Sequence, residues 1–301
     1  MKLNFGNIER EQPDPFVFRD GDTFYLYVTA EDGVEAYSSD SLTGEWKFEG
    51  LVCAIDGCRS FWAPSIIKYG GEYHLYFSCR AADGSYQFMH TARSLSPLGP
   101  FVDPVRFYER FSIDSHVVET SDGLFIWYAE DNLETDRIGT RVFVDRLIDP
   151  RTPAHQPKEV VVPTFDEEIF MYNRLGDGRN WHTIEGPFWF EHDGWQYLMY
   201  SGACFQNETY HIGYAAAKSD ERDLSKVDFV KHTDCGKFDP VMASNDYEEG
   251  VGHHSVIRVD GEFYAVYHGR DLVDPMGRTA RICRLHVKDG VITAERYPDR
   301  I

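Results

Sequence analysis

Three carboxylic acids stand beside apolar runs in distant parts of the chain. Asp14 precedes PFVF, Asp114 follows Ile113, and Glu185 lies between Ile184 and GPFWF. Carboxylates that cluster in a partly desolvated site repel one another, so at least one of their pKa values must rise. Such a group suits acid–base chemistry or the binding of a cation. Each acid taken alone can be an ordinary strand residue, and only their shared position would indicate a site.

Two carboxyl groups that face each other across a pocket can cleave a glycosidic bond. One, kept protonated by its surroundings, protonates the leaving oxygen, while the other, ionised, activates water on the opposite face of the sugar. A wide pocket suits the larger separation of an inverting pair. The chemistry needs no cofactor.

A repeated motif supplies elements that would bring these residues together. Each copy is a strand-like run, a turn with glycine, and an aromatic run that ends in a small polar residue. The copies begin at Asp14, Ala63, Ile113, Ile184 and Gly252, and their turn glycines are Gly21, Gly71, Gly123, Gly194 and Gly261. Asp-Gly or Gly-Gly between two β-rich runs is a strong hairpin signal.

Each hairpin is followed by a further strand candidate, which predicts five four-stranded sheets. The spacing favours an all-β fold, a five-bladed β-propeller, as one catalytic domain over residues 1–301. A β-sandwich with coincidental hairpins is the alternative. In a propeller the first strand of each blade lines the central channel, so we expect Asp14, Asp114, Glu185, His253 and His254 to meet at one mouth of it.

Composition narrows the partners. The 301 residues carry 50 acidic and 30 basic side chains, a formal net charge of −20. That charge argues against nucleic acid or an anionic membrane surface as a partner, because both would repel the chain. No apolar stretch approaches the length of a membrane span.

The cysteines and the N-terminus favour a cytoplasmic location. None of the cysteines forms a CxxC pair, and several lie in apolar runs, so we interpret them as free thiols, with a Cys53–Cys58 disulfide as the alternative. The first residues contain no apolar run typical of a secretory signal. The six are Cys53, Cys58, Cys79, Cys204, Cys235 and Cys283.

Six motifs in order along the chain resemble glycoside hydrolase family 43, whose members are five-bladed β-propellers. The resemblance covers residues 12–295 approximately and implies three roles: Asp14 as general base, Glu185 as general acid, and Asp114 as the carboxylate that raises the pKa of the acid and orients it. The motifs are DPFVF at Asp14, FWAPSII at Phe61, SIDSHVV at Ser112, HTIEGPFWF at His182, GVGHHSVI at Gly250 and YHGRD at Tyr267.

The same resemblance implies a substrate-binding set. Trp62 and Ala63 are similar to residues that border the sugar, and a Trp face can stack on a sugar ring. Arg270 and Arg278 resemble arginines that reach the sugar hydroxyls or the acid, with surface ion pairs as the alternative. His253 resembles the family's channel histidine, which in some members helps to hold calcium or water. Calcium prefers oxygen ligands, and no loop has an obvious calcium spacing, so a structural Ca²⁺ in the central channel stays open.

The family implies arabinose- or xylose-containing oligosaccharides as substrates. A cytoplasmic enzyme would meet small, imported oligosaccharides, which favours exo action. The chain ends soon after the fifth repeat, which suits an α-L-arabinofuranosidase. We therefore expect an inverting exo-α-L-arabinofuranosidase, with a β-D-xylosidase or a non-catalytic sugar-binding propeller as the alternatives.

Overall fold

The protein is all-β, as predicted. The computed structural model describes residues 1–81, 84, 86–273 and 277–297, and these form 22 strands. Their helical content is limited to two short 3₁₀ turns, Asp166–Glu168 and Leu224–Lys226. No helix in this part of the chain has the length and apolar character needed to cross a membrane.

The first two sheets are four-stranded antiparallel meanders in chain order. Unit 1 contains β1 (Phe16–Asp20), β2 (Thr23–Val28), β3 (Val34–Ser39) and β4 (Lys47–Cys53). Unit 2 contains β5 (Cys58–Tyr69), β6 (Glu72–Ala81), β7 (Phe88–Ser94) and β8 (Val102–Arg106).

The next sheet is ten-stranded, and a short parallel pairing divides it into two antiparallel halves. That pairing joins β11 to β15 only through Gly139 with His182 and Thr140 with Thr183. Unit 3 contains β9 (Ile113–Thr120), β10 (Gly123–Asn132), β11 (Gly139–Asp149), β12 (Thr152–Pro153) and β13 (Lys158–Val161). After β14 (Ile169–Met171), unit 4 contains β15 (Trp181–His192), β16 (Trp195–Gly202), β17 (His211–Lys218) and β18 (Val230–Lys231).

The last sheet is again a four-stranded antiparallel meander. Unit 5 contains β19 (Glu248–Val259), β20 (Glu262–Asp271), β21 (Thr279–Lys288) and β22 (Val291–Glu295).

The five predicted hairpins are present between the first two strands of each unit. In unit 4 the turn residues Asp193 and Gly194 both have positive φ, 48° and 76°. Two consecutive left-handed residues are what a tight type I′ hairpin turn requires, which explains the Asp-Gly pair in the sequence.

Hydrophobic side chains fill the spaces between neighbouring units. Buried clusters join unit 1 to unit 2, unit 2 to unit 3, unit 3 to unit 4, and unit 4 to unit 5. A further cluster packs Val17 and Leu26 of unit 1 against Val266 and Ile282 of unit 5. The packing order is therefore closed, and it brings the starts of the first strands, where the predicted acids lie, toward one region.

Candidate active site

One cavity contains all three predicted carboxylates. It encloses about 500 Å³ of empty space, including its opening to solvent. All five units contribute to it through the starts of their first strands, and the β16–β17 and β20–β21 connections supply further walls. Its lining residues are Asp14, Trp62, Ile113, Asp114, Glu185, Phe205, Tyr210, His253 and Arg278.

A left-handed residue marks the start of the first strand in every unit. The φ angles are 53° at Asp14, 46° at Ala63, 61° at Asp114, 57° at Gly186 and 42° at His253. The register of the first hairpin shifts around this point in units 2 to 5. Left-handed backbone is unfavourable for residues other than glycine, and such strain is concentrated at functional sites. Because the kink interrupts the alternation of a strand, two consecutive residues can face the cavity.

This geometry corrects the predicted equivalence of the acids. Asp14 and Asp114 occupy the left-handed position, but in unit 4 that position belongs to Gly186, and Glu185 lies one residue earlier. The counterpart of Glu185 in unit 2 is therefore Trp62, which also lines the cavity. Glu185 and Trp62 therefore reach the cavity from the same position, one residue before a backbone kink.

Three of these kinks are held by the residue that ends the aromatic run of a neighbouring unit. Thr29 Oγ1 accepts a hydrogen bond from the Ala63 amide at 2.8 Å, and Ser201 Oγ accepts one from the His253 amide at 2.7 Å. His268 Nδ1 accepts the Asp14 amide at 3.2 Å, which links unit 5 to unit 1.

In unit 3 the corresponding residue is Ala129, whose side chain cannot accept a hydrogen bond. The backbone amide at the next kink therefore binds a different group. The carboxylate of Asp114 accepts the Gly186 amide at 2.9 Å. Asp114 thereby fixes the backbone immediately after Glu185. This contact gives Asp114 a direct means of orienting Glu185.

Asp14 is buried among donors that favour its ionised form. Its Oδ1 lies 3.1 Å from Arg278 Nη1, and its Oδ2 accepts a hydrogen bond from Thr29 Oγ1 at 2.6 Å. Burial by itself would raise the pKa of Asp14, but the Arg278 guanidinium and the neighbouring His253 hold it well below its usual range. Asp14 is therefore a carboxylate at neutral pH.

Glu185 lies in the same cavity with one hydrogen-bond donor and no cation at its carboxyl group among the described contacts. Tyr210 donates its hydroxyl to Glu185 Oε1 at 2.7 Å. Burial raises the pKa of Glu185 to about 7, the hydrogen bond from Tyr210 opposes the rise, and the nearby Asp14 charge adds to it. Glu185 can therefore hold a proton near neutral pH while Asp14 cannot.

Asp114 lies close enough to both other acids to be affected by their charges. Burial, followed by the charges of Glu185 and Asp14, raises its pKa well above the usual range. Repulsion among the three groups is least when one or more of them carries a proton.

His253 lies between the two aspartates. Its Nδ1 is 3.6 Å from Asp14 Oδ1 and 3.7 Å from Asp114 Oδ2, and burial lowers its pKa, so the ring is neutral. Both ring nitrogens of the adjacent His254 are buried without a hydrogen-bond partner.

The donors around His253 do not fit the calcium ion considered from the sequence. Calcium prefers oxygen, but the orphaned atoms beside His253 are the nitrogens of His254. The nearest carboxyl oxygens, on Asp14 and Asp114, already face Arg278 and the Gly186 amide. Over the described ranges no three His, Cys, Asp or Glu side chains are grouped to hold a metal ion. We assign no metal-binding role to His253.

The remaining predicted binding residues divide into two groups. Trp62 and Arg278 line the cavity, and Trp62 keeps 37% of its surface exposed. Ala63 does not line it and contributes its amide to Thr29 instead. Arg270 is placed differently from the prediction: it pairs with Glu249 at 3.0 Å and donates to the carbonyl of Gln206 at 2.6 Å, outside the cavity.

Several residues of the site were not predicted. Phe205 and Tyr210 come from the connection between β16 and β17, whose approach to the first strands has no signal in the sequence. Thr29 and His268 did have a signal in the sequence, because each ends the aromatic run of its repeat. The repeat was recognised for its strands and not for the contacts of its last residue.

Known proteins with similar chains include enzymes named for their action on arabinosides. An extracellular exo-α-(1→5)-L-arabinofuranosidase of Cellvibrio japonicus is 23% identical over 91% of this chain and 83% of its own length. A second one, from Streptomyces chartreusis, is 23% identical over 89% of this chain and 83% of its own. The crystal structure of a thermostable family-43 glycoside hydrolase superposes with a TM-score of 0.81 and 28% identity, covering 98% of this chain and 96% of that one.

These relatives overturn the predicted cytoplasmic location. Both arabinofuranosidases are named as extracellular. The cytoplasmic prediction depended on the first residues and on the thiols, and all six cysteines are indeed free in the structure. Free thiols that are mostly buried behave as small apolar side chains, so they do not report the compartment. Small imported substrates are therefore no longer a reason to expect exo action.

The family model for glycosyl hydrolases family 43 matches residues 8–292, nearly the whole chain. The resemblance inferred from the six motifs is confirmed. The cavity lies within the matched region, and every residue that lines it is included. The chain belongs to glycosyl hydrolase family 43 and is a glycosidase by descent.

Proposed function

We propose that this protein is an inverting, exo-acting α-L-arabinofuranosidase that releases L-arabinose from arabinose-containing oligosaccharides. The observation that carries the proposal is the pairing, in one cavity, of an acid held ionised with an acid that can keep its proton near neutral pH, Asp14 and Glu185. The names of the two extracellular relatives support the sugar and the exo action.

The proposed reaction uses the two acids on opposite faces of the sugar. Asp14 accepts a proton from water, and the water oxygen bonds to the anomeric carbon. The bond from that carbon to the leaving oxygen breaks as Glu185 gives that oxygen its proton. Asp114 keeps the carboxyl group of Glu185 in place through the Gly186 amide. No cofactor enters the reaction.

Arg278 and Trp62 have supporting roles in this scheme. Arg278 keeps Asp14 ionised, and its guanidinium lies 5.0 Å from the centre of the Phe205 ring, so it is held from two sides. Trp62 offers an exposed ring at the cavity mouth for stacking on a sugar.

We also propose that the five units, packed in this closed order, form a single-domain five-bladed β-propeller over residues 1–301. Units 1 to 5 would be the blades, and the N-terminal segment would close the ring on unit 5. In support, the Ile282 amide donates to the Met1 carbonyl at 2.8 Å and the Leu3 amide to the Ala280 carbonyl at 3.0 Å. Such a ring places five first strands around one axis.

A panel of substrates tests the proposed function. Wild type, Asp14→Ala and Glu185→Ala are assayed on nitrophenyl α-L-arabinofuranoside, nitrophenyl β-D-xyloside and arabino- and xylo-oligosaccharides. We expect efficient cleavage of the arabinofuranoside by wild type, a large loss of activity on the oligosaccharides in both variants and, by proton NMR, a first-formed sugar of inverted anomeric configuration. Preference for the xyloside would replace the proposal by a β-D-xylosidase. Binding of arabino-oligosaccharides without turnover, measured by calorimetry, would indicate a sugar-binding propeller.

A further inference from the structure

We propose that Tyr210 is a positioning residue for Glu185: its hydroxyl occupies Oε1, so that the proton to be transferred is carried on Oε2. The inference depends on the proposed function, in which Glu185 is the general acid. No sequence motif pointed to Tyr210. It is identified by its contacts alone.

The contact is short and protected. The Tyr210 hydroxyl lies 2.7 Å from Glu185 Oε1, and only 1% of the Tyr210 surface is exposed. Burial, followed by the charge of Glu185, raises the pKa of the Tyr210 hydroxyl well above its usual value, so it stays protonated and donates. With Oε1 accepting that hydrogen bond, the free position for the acidic proton is Oε2.

The surroundings of Tyr210 fix its ring in this pose. The ring stacks on His268, with centroids 5.6 Å apart and planes 11° from parallel. Its other neighbour is the backbone of Gly252, where a Cβ atom would lie 1.8 Å from Cε1 of the ring. Only glycine leaves room for the ring at that position.

The stack also connects the two acids of the proposed reaction. His268 accepts the Asp14 amide through Nδ1, and Tyr210 donates to Glu185. The stacked pair of rings therefore contacts Asp14 through His268 and Glu185 through Tyr210. A small displacement of the stack would change the position of both groups relative to a bound sugar.

The hydrogen bond gains strength during the reaction. As Glu185 releases its proton from Oε2, negative charge spreads over both carboxyl oxygens, and a donor at Oε1 binds the ionised form more strongly than the neutral one. Tyr210 thus stabilises the transition state more than the ground state. This benefit exists only for substrates whose leaving group needs the proton.

Leaving-group dependence distinguishes positioning from a purely structural role. Tyr210→Phe removes the hydroxyl and keeps the ring, and kcat/KM is measured on aryl α-L-arabinofuranosides from dinitrophenyl to phenyl. Hydrogen bonds to charged groups are worth enough to predict a loss of about 10- to 150-fold on the phenyl glycoside. The dinitrophenyl glycoside, whose leaving group departs without a proton, is expected to change by less than about threefold by the same reasoning.

Tyr214→Phe is the matched control. Tyr214 is also buried and stacked on a histidine, His232, at 4.7 Å and 15°, but its hydroxyl accepts from the Ile292 amide, away from the cavity. This variant should show the wild-type leaving-group dependence. Thermal unfolding of both variants reports any general loss of structure.

An equal loss by Tyr210→Phe on every glycoside, or no loss on any, would overturn the positioning role. If wild type cleaves none of the arabinofuranosides, the proposed function itself fails. The two failures are therefore distinguished by the wild-type series.

Discussion

Asp14 and Glu185 lie in the same cavity, yet their neighbours drive their ionisation in opposite directions. Asp14 faces a guanidinium and a hydroxyl, and its pKa is held well below the usual range. Glu185 faces a single phenolic donor, and its burial raises its pKa to about 7. Burial acts on both groups, so the partner of opposite charge is what separates them. For this reason the proposed function takes Asp14 as the base and Glu185 as the acid.

The largest expected effect comes from removing the base. In Asp14→Asn the water loses its proton acceptor, so kcat/KM should fall by about 10²- to 10⁴-fold on every aryl α-L-arabinofuranoside. Steady-state kinetics over the leaving-group series measures the loss. A variant that is slow only on poor leaving groups would reverse the assignment of the two acids.

Removing the acid should have an equally large but selective effect. Glu185→Gln is expected to lose about 10²- to 10⁴-fold on phenyl or oligosaccharide substrates, where the leaving oxygen needs a proton. On the dinitrophenyl glycoside the loss should be much smaller. The same leaving-group series is measured for Glu185→Gln and Asp14→Asn, and only Glu185→Gln should depend strongly on the leaving group. Parallel losses in both variants would contradict the different roles of the two acids.

The third prediction concerns Arg278, whose charge keeps the pKa of Asp14 below that of Glu185. In Arg278→Met the carboxyl group of Asp14 keeps its burial and loses its main counter-charge, so its pKa should rise. Because the base must be ionised, activity is lost as the pH falls through that pKa, and the acidic limb of kcat/KM should move upward by about 1–3 pH units. Arg270→Met, at an arginine outside the cavity, is the control and should leave the limb in place.

The smallest effect is expected at the rim. Trp62→Ala removes an exposed ring that touches neither acid in the described contacts, so substrate binding should weaken while the chemical step is retained. An aromatic stacking contribution corresponds to a rise in KM of about 2- to 13-fold. A fall in kcat of similar size would show that Trp62 also positions the reacting sugar.

The sequence contained enough information for the all-β class, for the five hairpins and for the meeting of the three acids in one cavity. Turn glycines and aromatic runs marked all five hairpins, because tight turns and buried strands have local sequence requirements. The acids stood out because a carboxyl group beside an apolar run has a desolvation cost. These signals are local, and they were confirmed wherever they concerned strands and turns.

What the sequence could not reveal are contacts between units and the backbone kinks. Glu185 and Asp14 were expected at matching starts of their strands, but in unit 4 the left-handed position belongs to Gly186, one residue after Glu185. Tyr210 and Phe205 reach the cavity from a connection with no pattern of its own. Arg270 follows a recognisable motif, but Glu249 and Gln206 capture its guanidinium. Such outcomes depend on packing among distant segments.

The pH dependence of kcat/KM on nitrophenyl α-L-arabinofuranoside tests the division between the acids most directly. Glu185 must be protonated and Asp14 ionised, so wild type should lose activity as the pH rises through about 7 and keep it down to a pH well below the usual pKa of an aspartate. Glu185→Gln should lack the alkaline limb. A descending limb near pH 7 that persists in Glu185→Gln would contradict the account.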